Sequence, residues 1–156
     1  MDGTLMNIEI AAICDAATAN GAGGRLNILG AFDRAFPQKF PFMIPQCAAA
    51  FRIRYLRSEA GMHKLSLAIE DVCGHPIVPV MESNIPFEPV ATGLDTAALN
   101  LVLNMQRLQI ARPDKYIVRL IVDEEEIATL PLYILEDPRT KQAGAPAQDG
   151  EVRTGR

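Results

Sequence analysis

The chain has 156 residues, 49% hydrophobic and 22% charged, with 15 basic against 19 acidic groups and a net charge of −4. That length suits one domain, which buries roughly two thirds of its unfolded surface without covalent staples. The acidic balance speaks against a nucleic-acid partner, whose phosphates demand a basic face, and no apolar run approaches the ~18 residues of a membrane helix.

Met1-Asp2-Gly3-Thr4 carries no basic, signal-like stretch, so a soluble cytoplasmic protein with no membrane partner is expected. Met6, Ile8 and Ile10 then alternate with Asn7 and Glu9, the period of a half-buried strand. The alanine-rich stretch Asp15 to Asn20 is expected as a helical turn or a loop. Gly21 to Gly24 supplies the backbone freedom of a turn. Leu26, Ile28, Gly30 and Phe32 form the next alternating run.

Phe32 to Pro45 contains Phe32, Phe36, Phe40 and Phe42 together with Pro37, Pro41 and Pro45. It is expected as a loop. Tucked in, it is a lid over one end of the core; exposed, Phe36, Phe40 and Phe42 are an interface for a partner. The lid is the expected state.

Phe51, Ile53 and Tyr55 alternate with Arg52 and Arg54. The basic stripe Arg52, Arg54 and Arg57 is expected on a solvated face, with Glu70 and Glu82 as partners. Leu65, Leu67 and Ile69 mark another strand, and Asp71 to Pro76 a hairpin turn. Pro76 and Pro79 frame an edge strand or a linker, because proline cannot donate to a ladder.

Residues 94–108 are ambiguous. Leu94, Ala98, Leu101, Met105 and Leu108 fit a helical stripe, while Leu99, Leu101, Leu103 and Met105 alternate with Asn100, Asn104 and Gln106. Strand is preferred, since Asn and Val are mediocre helix formers. Tyr116 to Val122 and Ala128 to Ile134 are strands joined by a charged tip, Asp123 to Glu126. After Asp137-Pro138 the apolar pattern stops, and residues 137–156 are expected as a disordered tail behind a domain at 5–136.

Catalytic signatures are sparse. The chain has no Walker or dinucleotide glycine loop and no Gly-x-Ser-x-Gly elbow. His63 and His75 are the two histidines. Cys14, Cys47 and Cys73 are odd in number and widely spaced, which suits reduced thiols in a cytoplasm. Cys73 and His75 share a turn, and a metal site there needs Cys14 or Cys47 to arrive by folding. The acidic run at 123–126, with Asp71 and Asp33, is a calcium candidate read as a solvated tip. No cofactor is expected.

Leu103, Met105, Leu108 and Tyr116 stand two, three and eight residues apart. This spacing resembles the corner between strands E and F of an immunoglobulin-like sandwich, where a buried tyrosine pins the connection. The usual cysteine is Val118, and the core tryptophan is missing. The phrases Arg25 to Asp33, Phe51 to Arg54, Gly61 to Leu65, Asn100 to Asn104 and Pro113 to Tyr116 resemble a bacterial family of short all-β proteins known only as a domain of unknown function. That resemblance implies a fold and a bacterial origin, and no activity.

The expected architecture is a single antiparallel, immunoglobulin-like β-sandwich of about seven to nine strands. The expected role is a non-catalytic binding or assembly module acting on another protein or on itself. The alternative is a small-ligand or glycan-binding sandwich, favoured by a cleft lined with the arginine stripe. A metal-dependent enzyme ranks last.

Overall fold

The computed structural model of the chain describes residues 5–20 and 24–139. It is an all-β sandwich of nine strands: β1 Asn7–Ala19, β2 Leu26–Phe32, β3 Arg34–Ala35, β4 Phe42–Leu56, β5 Gly61–Glu70, β6 Met81–Phe87, β7 Thr96–Ile110, β8 Asp114–Val122 and β9 Glu125–Ile134. One sheet runs β2-β1-β4-β7 and the other β3-β9-β8-β5-β6. Pairings are antiparallel apart from the short parallel contact of β3 with β9.

Strand alternation builds the core. Phe51, Ile53 and Tyr55 from β4 meet Leu65, Leu67 and Ile69 from β5 and Val118, Leu120 and Val122 from β8, all buried. Thr96–Ile110 is a strand along its whole length, as the alternation of leucines with asparagines predicts. Its residues pair with β4 from Thr96↔Leu56 to Ile110↔Phe42, which settles the segment as a strand.

Three segments differ from the sequence reading. Asp15 to Ala19 continues β1 instead of forming a helical turn or loop, paired through Ala16↔Leu29 and Ala19↔Leu26. Its alanines are there for close packing. Cys14, Ala48 and Ala50 face away from the main core yet are fully buried, under Ala17, Leu26, Ile28 and Val102. The β1–β2 hairpin curls over that face, and Asn100 Nδ2 donates to Gly24 O at 3.1 Å. Only small side chains leave room for it.

The second difference is β4, which starts at Phe42, so the phenylalanine-rich segment is split between β3 and the head of a long strand. The third is the edge of the other sheet. Residues 76–80 make one bridge, Glu70↔Pro76, and the edge strand is β6. Met81, Ser83, Ile85 and Phe87 alternate, but Ser83, Asn84 and Pro86 disguise the run. The glycine turn at 21–23 and the expected tail at 140–156 lie outside the described residues; Asp137 is buried and accepts from Arg139 N at 2.9 Å.

Tyr116 lies just past the β7–β8 connection. Tyr116 is 2% exposed, and its hydroxyl donates to Arg112 O at 2.6 Å. Replacing Tyr116 by Phe leaves that carbonyl without its donor while keeping the ring, so a loss of about 1 kcal/mol is expected in urea unfolding. An unchanged midpoint would show that ring packing alone holds the corner.

Candidate functional site

The turn after β5 sits beside that corner. Asp71 is 6% exposed. Its Oδ1 accepts from Cys73 N and His75 N, each at 2.9 Å, while Oδ2 accepts from Arg112 Nη2 at 3.2 Å. The backbone closes the turn through Asp71 N to His75 O at 2.9 Å and Gly74 N to Asp71 O at 3.0 Å. Gly74 has φ +85, a conformation that favours glycine. The backbone amide of His75, above all, holds the Asp71 carboxyl below the usual carboxylate range. A cleft of about 320 Å³ opens here, lined by Asp71, Gln109, Arg112 and Tyr116 with Pro41 and Ile77.

The structure brings together a different set of candidate metal donors from the one sequence spacing suggested. Cys14 and Cys47 are buried in the sheet of β1 and β4, away from Cys73 and His75. Asp71 is the third donor: its carboxylate, the Cys73 thiol and the His75 ring lie within 4.8 Å of one another. The signal is present in the spacing Asp71-x-Cys73-x-His75, but the sequence reading weighs Asp71 only as a helper to the calcium candidate at 123–126. That calcium grouping does not form. Asp123 binds Lys64 N at the start of β5, whereas Asp71 follows its end, and Asp33 pairs with Arg34.

The arginine stripe is structural. Arg52 and Arg54 both pair with Glu9, not with Glu70 or Glu82. Arg52 also donates to Asn100 Oδ1 at 2.8 Å and Arg54 to Thr96 Oγ1 at 3.0 Å. Arg57 donates to Val90 O at 2.7 Å and Leu94 O at 2.5 Å, pinning the loop before β7. Glu70 pairs with Arg119 instead, and Glu82 with Lys64. Neither described cleft is lined by the stripe; the second, of about 460 Å³, runs between Ala11, Ile13 and Phe32 on one side and Leu130 and Pro131 on the other.

Phe40 and Phe42 pack half-buried against the core, and Phe36 stays 46% exposed. One of the three rings is thus left outside, while Phe42 opens β4.

The free edge of β7 has no signature in residue pattern. Four strands end the two sheets. β3 has two residues. β2 carries Gly30 at φ +70. β6 has seven residues and includes Glu82 and Pro86. Shortness, irregularity, charge and proline each blunt an edge. β7 has fifteen residues, and from Thr96 to Gln106 none is charged or proline. Among the described residues it pairs on one side only, with β4. Leu99 and Leu103 are half-buried along it.

His63 ties the start of β5 to the β8–β9 turn. Its Nδ1 lies 2.5 Å from Asp123 Oδ2 and its Nε2 2.6 Å from Glu59 O. Both partners are acceptors, so the geometry suits a ring protonated on both nitrogens. Burial pulls its pKa down, but the bonds to Asp123 and Glu59 outweigh burial and raise it above the ordinary value. The stabilisation is then fully present below pH 6.5, the ordinary value, and is lost as pH rises through the raised one. Urea midpoints across pH should show wild type losing its advantage over His63→Gln in that direction; a constant difference refutes the assignment.

Burial, and then the neighbouring Cys14 and Asp15, push the Cys47 thiol up to about 11. Burial likewise raises Cys14, whose Sγ donates to Ala48 O at 3.6 Å. Cys73 is exposed. Native protein should therefore offer one fast thiol to a disulfide reagent and three in denaturant. Two fast thiols would contradict this packing.

No helix among the described residues is long and apolar enough to cross a membrane. No curated protein matches the sequence. Among solved structures, a Pseudomonas fluorescens alkylpurine DNA glycosylase, AlkC, bound to DNA containing an abasic-site analog, is similar at 10% identity and a TM-score of 0.47. The match covers 85% of this chain and 31% of that one, so the chain spans about a third of that protein's length. The model of a family of unknown function, DUF6941, matches residues 9–135, and the chain belongs to that family.

Proposed function

We propose that the protein is a non-catalytic assembly module that joins to a second copy of itself through the β7 edge. The observation that carries this reading is the fifteen-residue free edge, uncharged from Thr96 to Gln106, beside three blunted ones. An open strand edge presents a row of donors and acceptors that another strand satisfies. A second copy is the partner that this edge fits. In antiparallel self-pairing, residues meet their own neighbours across a two-fold axis, and any charge near that axis meets its own kind. β7 has no charge from Thr96 to Gln106. Pairing centred on Leu101 sets Leu99 opposite Leu103 of the second copy and Ala98 opposite Asn104, extending the apolar inner face.

The strand order β1-β4-β7 opposite β9-β8-β5-β6, with the tyrosine corner between β7 and β8, supports an immunoglobulin-like reading of the sandwich. Unpaired cysteines support a reducing, cytoplasmic setting, and the family resemblance a bacterial one. The net charge of −4 supports a protein partner over nucleic acid. The ligand-binding alternative called for a cleft lined by the arginine stripe, and those arginines are engaged with Glu9 and with backbone carbonyls.

Light scattering on the purified chain should give twice 17.0 kDa. Asn104 and Gln106 are exposed, so the double variant Asn104→Lys, Gln106→Lys should keep the native circular dichroism and fall to monomer mass. Monomeric wild type at about 100 μM, well above a micromolar dissociation constant, overturns the reading. So does a dimer that the two lysines leave intact.

A further inference from the structure

We infer that Asp71, Cys73 and His75 form a binding site for a zinc-class transition metal. The site is independent of the β7 edge. Thiolate, imidazole and carboxylate together are the ligand chemistry of zinc, whereas calcium and magnesium take oxygen alone. Zinc bonds of about 2.0–2.3 Å in tetrahedral array put neighbouring donor atoms about 3.3–3.8 Å apart. Here all three donors lie within 4.8 Å of one another, and His75 Nδ1 stands 3.7 Å from Asp71 Oδ2. That separation is too long for a hydrogen bond and suits two ligands of one ion.

The backbone is already set for the task. The Asp71 N to His75 O and Gly74 N to Asp71 O bonds fix the turn, so only the Cys73 and His75 side chains need to swing inward. Both are exposed, His75 at 76%, and neither packs against the core. Asp71 cannot swing, because Oδ1 is held by two backbone amides. The Arg112 contact to Oδ2 acts as the outer hydrogen bond that a ligating carboxylate usually has. Binding releases the Cys73 thiol proton to solvent, and the fourth tetrahedral position goes to water.

The test uses the untagged full chain, freed of metal by a chelator and titrated with zinc ions. One equivalent should bind, and zinc at about ten times its dissociation constant should slow the reaction of Cys73 with a disulfide reagent by about tenfold, since only about a tenth of the thiol is then free. His75→Asn keeps the thiol, so protection by zinc should disappear in it. Cys73→Ser should lose zinc uptake in competition with a chromophoric chelator. Both changes are on exposed side chains, so the fold survives them. Asp71→Asn is unsuitable alone, because Asp71 also organises the turn. Unprotected Cys73 in wild type, protection that persists in His75→Asn, or uptake unchanged in Cys73→Ser each overturns the inference.

Discussion

The hydrogen bond from the Tyr116 hydroxyl to Arg112 O is the constraint on which the two halves of the sandwich depend. β7 belongs to one sheet and β8 to the other, and only residues 111–113 join them. A connection that short must cross the core's rim without leaving buried polar groups unpaired. Tyr116 solves this with one side chain: the ring is buried, and the hydroxyl satisfies a carbonyl four residues back. The corner then fixes Arg112 beside Asp71, which ties in the β5 turn through Oδ2. Three elements from one end of the molecule are thereby held by two contacts. The His63–Asp123 pair does corresponding work at the far end of β5.

Close packing explains the alanine run of β4. Ala49 faces the core shared by the sheets, while Ala48 and Ala50 face the curled hairpin. A strand buried on both faces is rare in a sandwich of this size, and larger residues at these positions would lift one cover or the other. The arginines farther along β4 mark where the second cover stops. Arg52 and Arg54 reach water at their tips and are held in place by Glu9, with little net energy from pairs so exposed.

The all-β class, the ambiguous strand at Thr96–Ile110 and the Tyr116 corner were legible because each rests on local periodicity or spacing. What escaped the sequence depends on who lies next to whom. Glu9 is 43 residues from Arg52, and nothing in alternation selects it over Glu70. Ala16 to Ala19 have side chains too small to show a period, so only the covered face of Ala48 and Ala50 reveals why they are extended. β6 hid because Pro86 and two polar residues weaken its pattern. The metal-ligand set was half legible: Cys73 and His75 stood out by type, but Asp71 joins them only because its carboxylate folds back over its own turn. The free edge of β7 was invisible for a deeper reason, since an edge is a property of sheet order and not of any strand's residues.

Rigidity decides what that edge can do. A strand that must order itself on pairing loses much of its gain to backbone entropy. β7 has no such loss. It pairs with β4 from Thr96↔Leu56 to Ile110↔Phe42, along its full length. Arg57 holds the carbonyls just before it, and the tyrosine corner holds the chain just after it. The left-handed φ of 55 at Arg107 breaks the flat run only near its end, where the strand's one charge sits. A strand fixed at both ends and along one side presents its other side already in the paired conformation. Leu99 and Leu103 stand half-covered beside it, so an added strand gains apolar burial along with the ladder. The same features that hold the sandwich together therefore leave β7 pre-ordered for the pairing proposed for it.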